Sequence, residues 1–314
     1  MSTDTIDAGV DTIFSGNSDS MLADMYSAVK LQFTWWGTRR ALTDDQVKEA
    51  SAPFHAQKGF MNASKKLANT KNKAFRKVTR CRSAAKAYWR HNTLPYPEPG
   101  IRLIKRTDIL RFDSEMARQQ ANLAEAVEGL EEQYDDLLMD ARLSLGTLFN
   151  PADYPSTLKG AFALNWDYIS VQPPEYLKDA SPEIYEAAVQ RVEARFAQAV
   201  EMAEQAFIDE FGKLVHNLSD RMAPDEAGQP KIFRDTIITN LKEFFGRFRT
   251  MNVSDSDALE ALVKQAEDLV SGVNPNDLRA SPTLRADIKA KMDDLFGNLE
   301  GMMSDRPRRR LLGE

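Results

Sequence analysis

A chain of 314 residues with a single cysteine, Cys81, cannot close an internal disulfide, which suits a reducing cytoplasm. No run of eighteen apolar residues occurs, so a transmembrane helix is not expected. The first twenty residues hold four acids, no lysine or arginine and no long apolar core. They read as a mobile acidic leader over 1–20, neither a secretory signal nor a transit peptide. A P-loop needs a glycine-rich turn and Gly-Lys-Ser/Thr. The one Gly-Lys, Gly212-Lys213, instead runs into Leu214 within a helical pattern. Gly-x-Ser-x-Gly is absent, and the three histidines, His55, His91 and His216, are scattered. With no catalytic constellation, the expectation is a protein that is not an enzyme and uses no cofactor.

One further absence is local. From Ala50 to Pro97 there is no aspartate or glutamate, while eleven lysines and arginines occur. The formal net charge is −6, so the rest of the chain sums to −6 − 11 = −17. From Asp113 to Asp140 there are nine acids against one base, Arg118. Charge is sorted by segment. What is present otherwise is ordinary: 42% apolar and 28% charged residues, with fourteen prolines and fifteen glycines, fit a mostly helical globular protein.

Periodicity predicts a helix over Met21 to Trp36, with Met21, Leu22, Met25, Val29, Phe33 and Trp36 on one face. Thr43 and Gln46 have capping-box spacing ahead of a short helix that ends before Pro53. A long basic helix is expected from about Gln57 to Trp89. Phe60, Leu67, Ala74, Cys81 and Tyr88 recur every seven residues, with Val78 and Ala85 offset by four. "NTLPYPEPG" stops it. "IRLIKR" is β-prone, and "AFALNWDYISV" alternates Phe162, Leu164, Trp166 and Tyr168, so these two pieces are expected to pair as a small ribbon. Between them a helix is expected from about Thr107 to Phe149. Ser181-Pro182 opens a helix running to about Met222, and further helices follow over Ile232 to Met251, Ser256 to Val270 and, after Ser281-Pro282, to Met303.

The expected fold class is therefore all-α: an elongated bundle of long antiparallel helices with coiled-coil-like hairpins and a small two-stranded β-ribbon. Its parts would be the leader over 1–20, a long-helix body over 21–225 with a Pro-rich insertion near 150–180, a smaller helical unit over 230–303 and a basic tail over 304–314.

The stretch from "YPEPGIRLI" through "YDDLLMDARLSLGTLFNPADYPS" resembles an uncharacterised helical family of bacterial, plasmid and phage proteins. Gly100 to Leu103, Tyr134, Leu145-Gly146, Leu148-Phe149 and Asp153-Tyr154-Pro155 carry the likeness. So do "WWGTRR" at Trp35 to Arg40 and the aromatic strand-like segment, giving a span from Leu31 to Val171. Such proteins are often encoded beside MoxR-type AAA+ ATPases and von Willebrand A-type proteins, which implies a helper role beside an ATPase. The resemblance carries no catalytic residues, and the acidic leader and "RPRRR" tail depart from it.

Candidate sites follow from the charge sorting. Glu131, Glu132, Asp135, Asp136 and Asp140 cluster on one helix, but no Glu-x-x-His accompanies them, so a di-metal site is not favoured. Cys81 lies on the apolar seam and reads as a core cysteine. Lys65, Lys66, Lys73, Arg76, Lys77, Arg80, Arg82, Lys86 and Arg90 lie off that seam, more cations than one acidic stripe can neutralise. The expected function is a cytoplasmic, non-enzymatic scaffold or adaptor that self-assembles or partners an AAA+ ATPase of MoxR type. The alternative is nucleic-acid binding by the basic helix over 58–90, with Phe75, Tyr88, Trp89 or His91 stacking on bases. The tail's Arg306, Arg308, Arg309 and Arg310, followed by Leu311-Leu312, offers a second docking element.

Overall fold

The computed structural model describes residues 25–57, 59–254 and 256–304. They form two compact units, one of residues 25–93 and 98–171, the other of residues 94–97 and 172–304.

The first unit is built on a sheet, and its middle strand is β1 (Tyr26–Trp35). After β1 come β2 (Arg39–Ala41), α1 (Asp44–Ser51), β3 (Ser64–Lys66) and α2 (Lys73–His91). The short β4 (Leu94–Pro95) belongs to the second unit. Then follow β5 (Ile101–Lys105), α3 (Ile109–Glu131), α4 (Tyr134–Leu145) and β6 (Phe162–Ile169). β1 pairs antiparallel with β5 on one side and with β6 on the other. Leu31 lies opposite Trp166, Phe33 opposite Leu164 and Trp35 opposite Phe162, so one face of the sheet is apolar and aromatic. α2 and α3 cover that face with Phe75, Val78, Ala85, Phe112, Met116 and Leu123. The two helices run antiparallel, since Lys77 meets Glu125, Cys81 meets Asn122 and Tyr88 stacks on Phe112. β6 is held to α3 by side chains as well: Gln120 donates to the Leu164 carbonyl at 2.7 Å and the Trp166 indole to Asp113 at 2.8 Å.

This sheet overturns the expected elongated all-α bundle. Residues 26–35 are a strand rather than a helix. The spacing of four between Met25, Val29 and Phe33 satisfies a helix and an even-numbered strand period alike. Their β-branched and aromatic neighbours decide for strand. "IRLIKR" and "AFALNWDYISV" are strands, yet they do not pair with each other; β1 stands between them. The basic segment is not one rod either. Ser64–Lys66 pairs with Arg39–Ala41, and the helix starts only at Lys73. Asn72 is its N-cap, accepting from the Ala74 amide at 2.7 Å and the Phe75 amide at 3.4 Å. The acidic helix breaks after Glu131. There the Glu131 carboxylate accepts from the Leu158 amide at 2.6 Å and the Thr157 hydroxyl at 2.7 Å, and Tyr134 donates to the Pro155 carbonyl.

The second unit is helical, with α5 (Tyr176–Ala180), α6 (Pro182–Met222), α7 (Thr236–Met251), α8 (Asp257–Ser271), α9 (Pro275–Ala280) and α10 (Pro282–Ser304). α6 runs for 41 residues from the Ser181 cap, whose hydroxyl accepts from the Ile184 amide. Phe207 and Phe211 of α6 interlock with Phe244, Phe245 and Phe248 of α7, and Phe211 stacks on Phe244 at 5.3 Å.

Candidate docking surface

The nine cations singled out in the sequence meet four different fates. Lys65 turns inward. It is 8% exposed, its ammonium lies 2.6 Å from Asp153 and donates to the Leu148 carbonyl at 2.7 Å. Asp153 also receives Arg40 at 3.3 Å. The Lys65 hydrogen bond, helped by Arg40, holds the Asp153 carboxyl below the usual carboxylate range. Lys65 is thus part of the interior of its unit.

Arg82 lies along the aromatic face of the sheet, its guanidinium 4.6 Å from the Trp35 ring and 5.3 Å from Phe33. Lys77 makes an exposed ion pair with Glu125 at 2.8 Å, a contact that raises the lysine and lowers the glutamate from their usual values.

The other six, Lys66, Lys73, Arg76, Arg80, Lys86 and Arg90, are exposed, and none makes an ion pair with a described residue. Five of them are on α2: Lys73, Arg76, Arg80 and Arg90 lie on the side away from the buried line of Phe75, Val78, Ala85 and Trp89, and Lys86 is exposed on its flank. From Lys73 to Arg90 this side extends roughly 25 Å at the usual helical rise. At its C-terminal end, Arg102 donates to the Arg90 and Thr93 carbonyls at 3.3 and 2.6 Å. Burial, with the Arg90 charge, pulls the Arg102 guanidinium down to about 10. Arg90 therefore faces another cation rather than a carboxylate.

The structure adds a residue that periodicity did not find. β2–β3 pairing sets Arg39 directly opposite Lys66, both exposed. Like charges across a strand pair are unfavourable by themselves, so this pair belongs with the cationic surface. No local signal pointed to it, because 22 residues separate β2 from β3 and only the register joins them.

The acids on the neighbouring segment do not wrap this surface. Asp113 takes the Trp166 indole, Glu115 takes Arg118 and Glu131 takes the 157–158 backbone and hydroxyl. Glu132, Asp135, Asp136 and Asp140 are exposed on or beside α4. Among the described residues no group of three His, Cys, Asp or Glu is placed to hold a metal ion.

The aromatic side chains of α2 are spoken for. Phe75 is 3% and Trp89 7% exposed, and Tyr88 stacks on Phe112 with ring centres 5.6 Å apart. Burial closes Phe75 and Trp89 to bases, while Tyr88 is half-buried and His91 is exposed. Cys81 is half-buried, donating weakly to the Asn122 carbonyl at 3.5 Å, and burial pushes its thiol up. The tail arginines Arg308, Arg309 and Arg310 and the leader lie outside the described residues.

In the second unit an open groove of about 910 Å³ follows the end of α7 and the length of α8. Its charges include Arg249 and Glu267, which pair with each other. No described helix is long and apolar enough to cross a membrane. No family model, curated protein or solved structure matches the chain.

Proposed function

We propose that the protein is a non-enzymatic scaffold or adaptor whose sheet-based unit docks on an acidic protein surface through the solvent side of α2. The observation that carries this reading is the row of five cations, Lys73, Arg76, Arg80, Lys86 and Arg90, exposed on one side of a capped helix without a described carboxylate partner. A rigid helix with its charges already fixed in a row favours register and fast encounter with a complementary surface. The burial of Phe75 and Trp89 supports a protein partner over a single-stranded nucleic acid, because it takes two of the aromatic rings of α2 away from bases. The resemblance to proteins encoded beside MoxR-type ATPases supports an AAA+ ATPase as one such partner, in the cytoplasm.

The test is a pull-down from the native host with the wild type and with Arg76→Glu/Arg80→Glu, repeated at low and high salt. A partner lost both in the variant and at high salt is the expected result. A partner retained equally by both proteins overturns the reading. So does a gel shift with RNA or DNA that falls by about a thousandfold between roughly 50 and 200 mM salt, the slope of about six phosphate contacts.

A further inference from the structure

We propose that one acidic surface read by α2 is α4 of a second copy of this chain, so that the protein assembles with itself through helix-on-helix contacts. This rests on the docking reading above and names its occupant.

α4 buries one side against its unit and leaves apolar side chains on the other. Tyr134, Leu137 and Ala141 anchor it to its unit. On the opposite side Met139 is 65% and Leu143 79% exposed, two large apolar side chains one turn apart. Solvent-facing helix positions ordinarily carry polar residues. Asp135, Asp136 and Asp140 flank this pair, with Arg142 the one exposed cation on α4, and none of the three acids makes an ion pair with a described residue. An apolar centre with a charged rim is how a protein–protein contact is built, and methionine is enriched in such centres.

The solvent side of α2 is its complement. Ala84 and Ala87, both exposed, are small enough to receive Met139 and Leu143, and Arg80 and Arg90 stand on either end of them. Large side chains thus meet small ones while three carboxylates meet arginines. Because the two faces belong to different elements, the contact is made in turn by α4 of one copy and α2 of the next. Such assemblies close into rings or two-fold pairs, or else extend into filaments.

Mass photometry and light scattering of the full chain at low salt are the test, with two charge-reversed variants. Arg80→Glu/Arg90→Glu puts acids at the contact positions of both faces; Asp136→Arg/Asp140→Arg puts arginines at the contact positions of both. Each alone is expected to be monomeric, whereas an equimolar mixture re-forms the wild-type assembly, because every contact again joins opposite charges. Met139→Ser/Leu143→Ser is expected to weaken assembly by at least tenfold, since each large apolar side chain taken out of water is worth about a decade of affinity or more. Circular dichroism of each variant confirms that the fold is kept. A wild type that stays monomeric at low salt overturns the proposal, as does assembly that survives either charge reversal, or a mixture that stays monomeric. Loss of the host partner with Arg76→Glu/Arg80→Glu, in a protein that never self-associates, overturns this inference while leaving the docking reading standing.

Discussion

Replacing Lys65 by methionine separates an interior lysine from a surface one. Lys65 sits 2.6 Å from Asp153 and 2.7 Å from the Leu148 carbonyl with 8% of its surface exposed. Methionine keeps the length of the stem and removes the charge, leaving Asp153 with Arg40 alone at 3.3 Å. Removing one member of a buried ion pair costs about 3–5 kcal/mol. Arg40 retains part of the partnership, so the lower end, ~3 kcal/mol, is expected here. For a unit of this size that corresponds to a drop of roughly 10 °C in its melting temperature. Lys66→Met, one residue on and exposed, is expected to stay within about 0.5 kcal/mol of the wild type. Urea denaturation followed by circular dichroism measures both. The pH dependence has a definite sign. Asp153 is held below its ordinary value of 3.8 in the folded chain, so its contribution is fully present above that pH and is lost as pH falls through the folded value. The gap between wild type and Lys65→Met should therefore narrow in acid. Equal denaturation midpoints for Lys65→Met and Lys66→Met would refute the placement of Lys65 in the interior.

Asn72→Ala removes the cap of α2 and is expected to cost about 1 kcal/mol, read from the urea midpoint. Phe211→Ala takes out a ring stacked on Phe244 and completely buried. It should cost about 3–5 kcal/mol in the helical unit, measured by the same titration. Cys81 should react more slowly with a thiol reagent in the native chain than after denaturation, because burial raises its thiol and hides part of it. Equal rates would contradict that packing.

Signals confined to a few neighbouring residues were legible. The Thr43–Gln46 capping box is formed, with both reciprocal hydrogen bonds. Ser181-Pro182 and Ser281-Pro282 open helices, and each serine hydroxyl accepts a backbone amide three residues on. The alternation of Phe162, Leu164, Trp166 and Tyr168 is a strand. What failed depended on contacts distant in sequence. The seam through Phe60 and Leu67 continued the heptad of α2 on paper, yet Phe60 is exposed. Leu67 is buried in a non-helical position, its amide bonded to the Thr38 carbonyl at 2.8 Å. The break between α3 and α4 has no proline; it lies where Glu131 and Tyr134 bind the 155–158 segment. β1 was the costliest misreading, because the middle strand of a sheet defines which other segments are neighbours. Read as a helix, it leaves its two flanking strands only each other to pair with.

Sorting charge along a chain is not the same as sorting it on a surface, and the nine cations show why. A count over residues 64–90 treats them as one rod, so that any shortfall of acids on the next rod becomes exposed positive charge. The fold interrupts that sum three times: strand pairing turns Lys65 inward to Asp153, Arg82 lies down on Trp35 and Phe33, and Lys77 meets Glu125. Meanwhile the helix break after Glu131 carries the acids of α4 away from the helix that was expected to absorb them. The outcome is fewer free cations than the sequence offered, but on a shorter and better defined helix. Four acids are also left exposed on or beside α4, in the same unit. An excess of one sign would call only for counterions. Two uncancelled faces of opposite sign on one rigid unit make like-facing contacts repulsive and unlike-facing ones attractive. That asymmetry, rather than the number of cations, is what the proposed docking on a protein surface rests on.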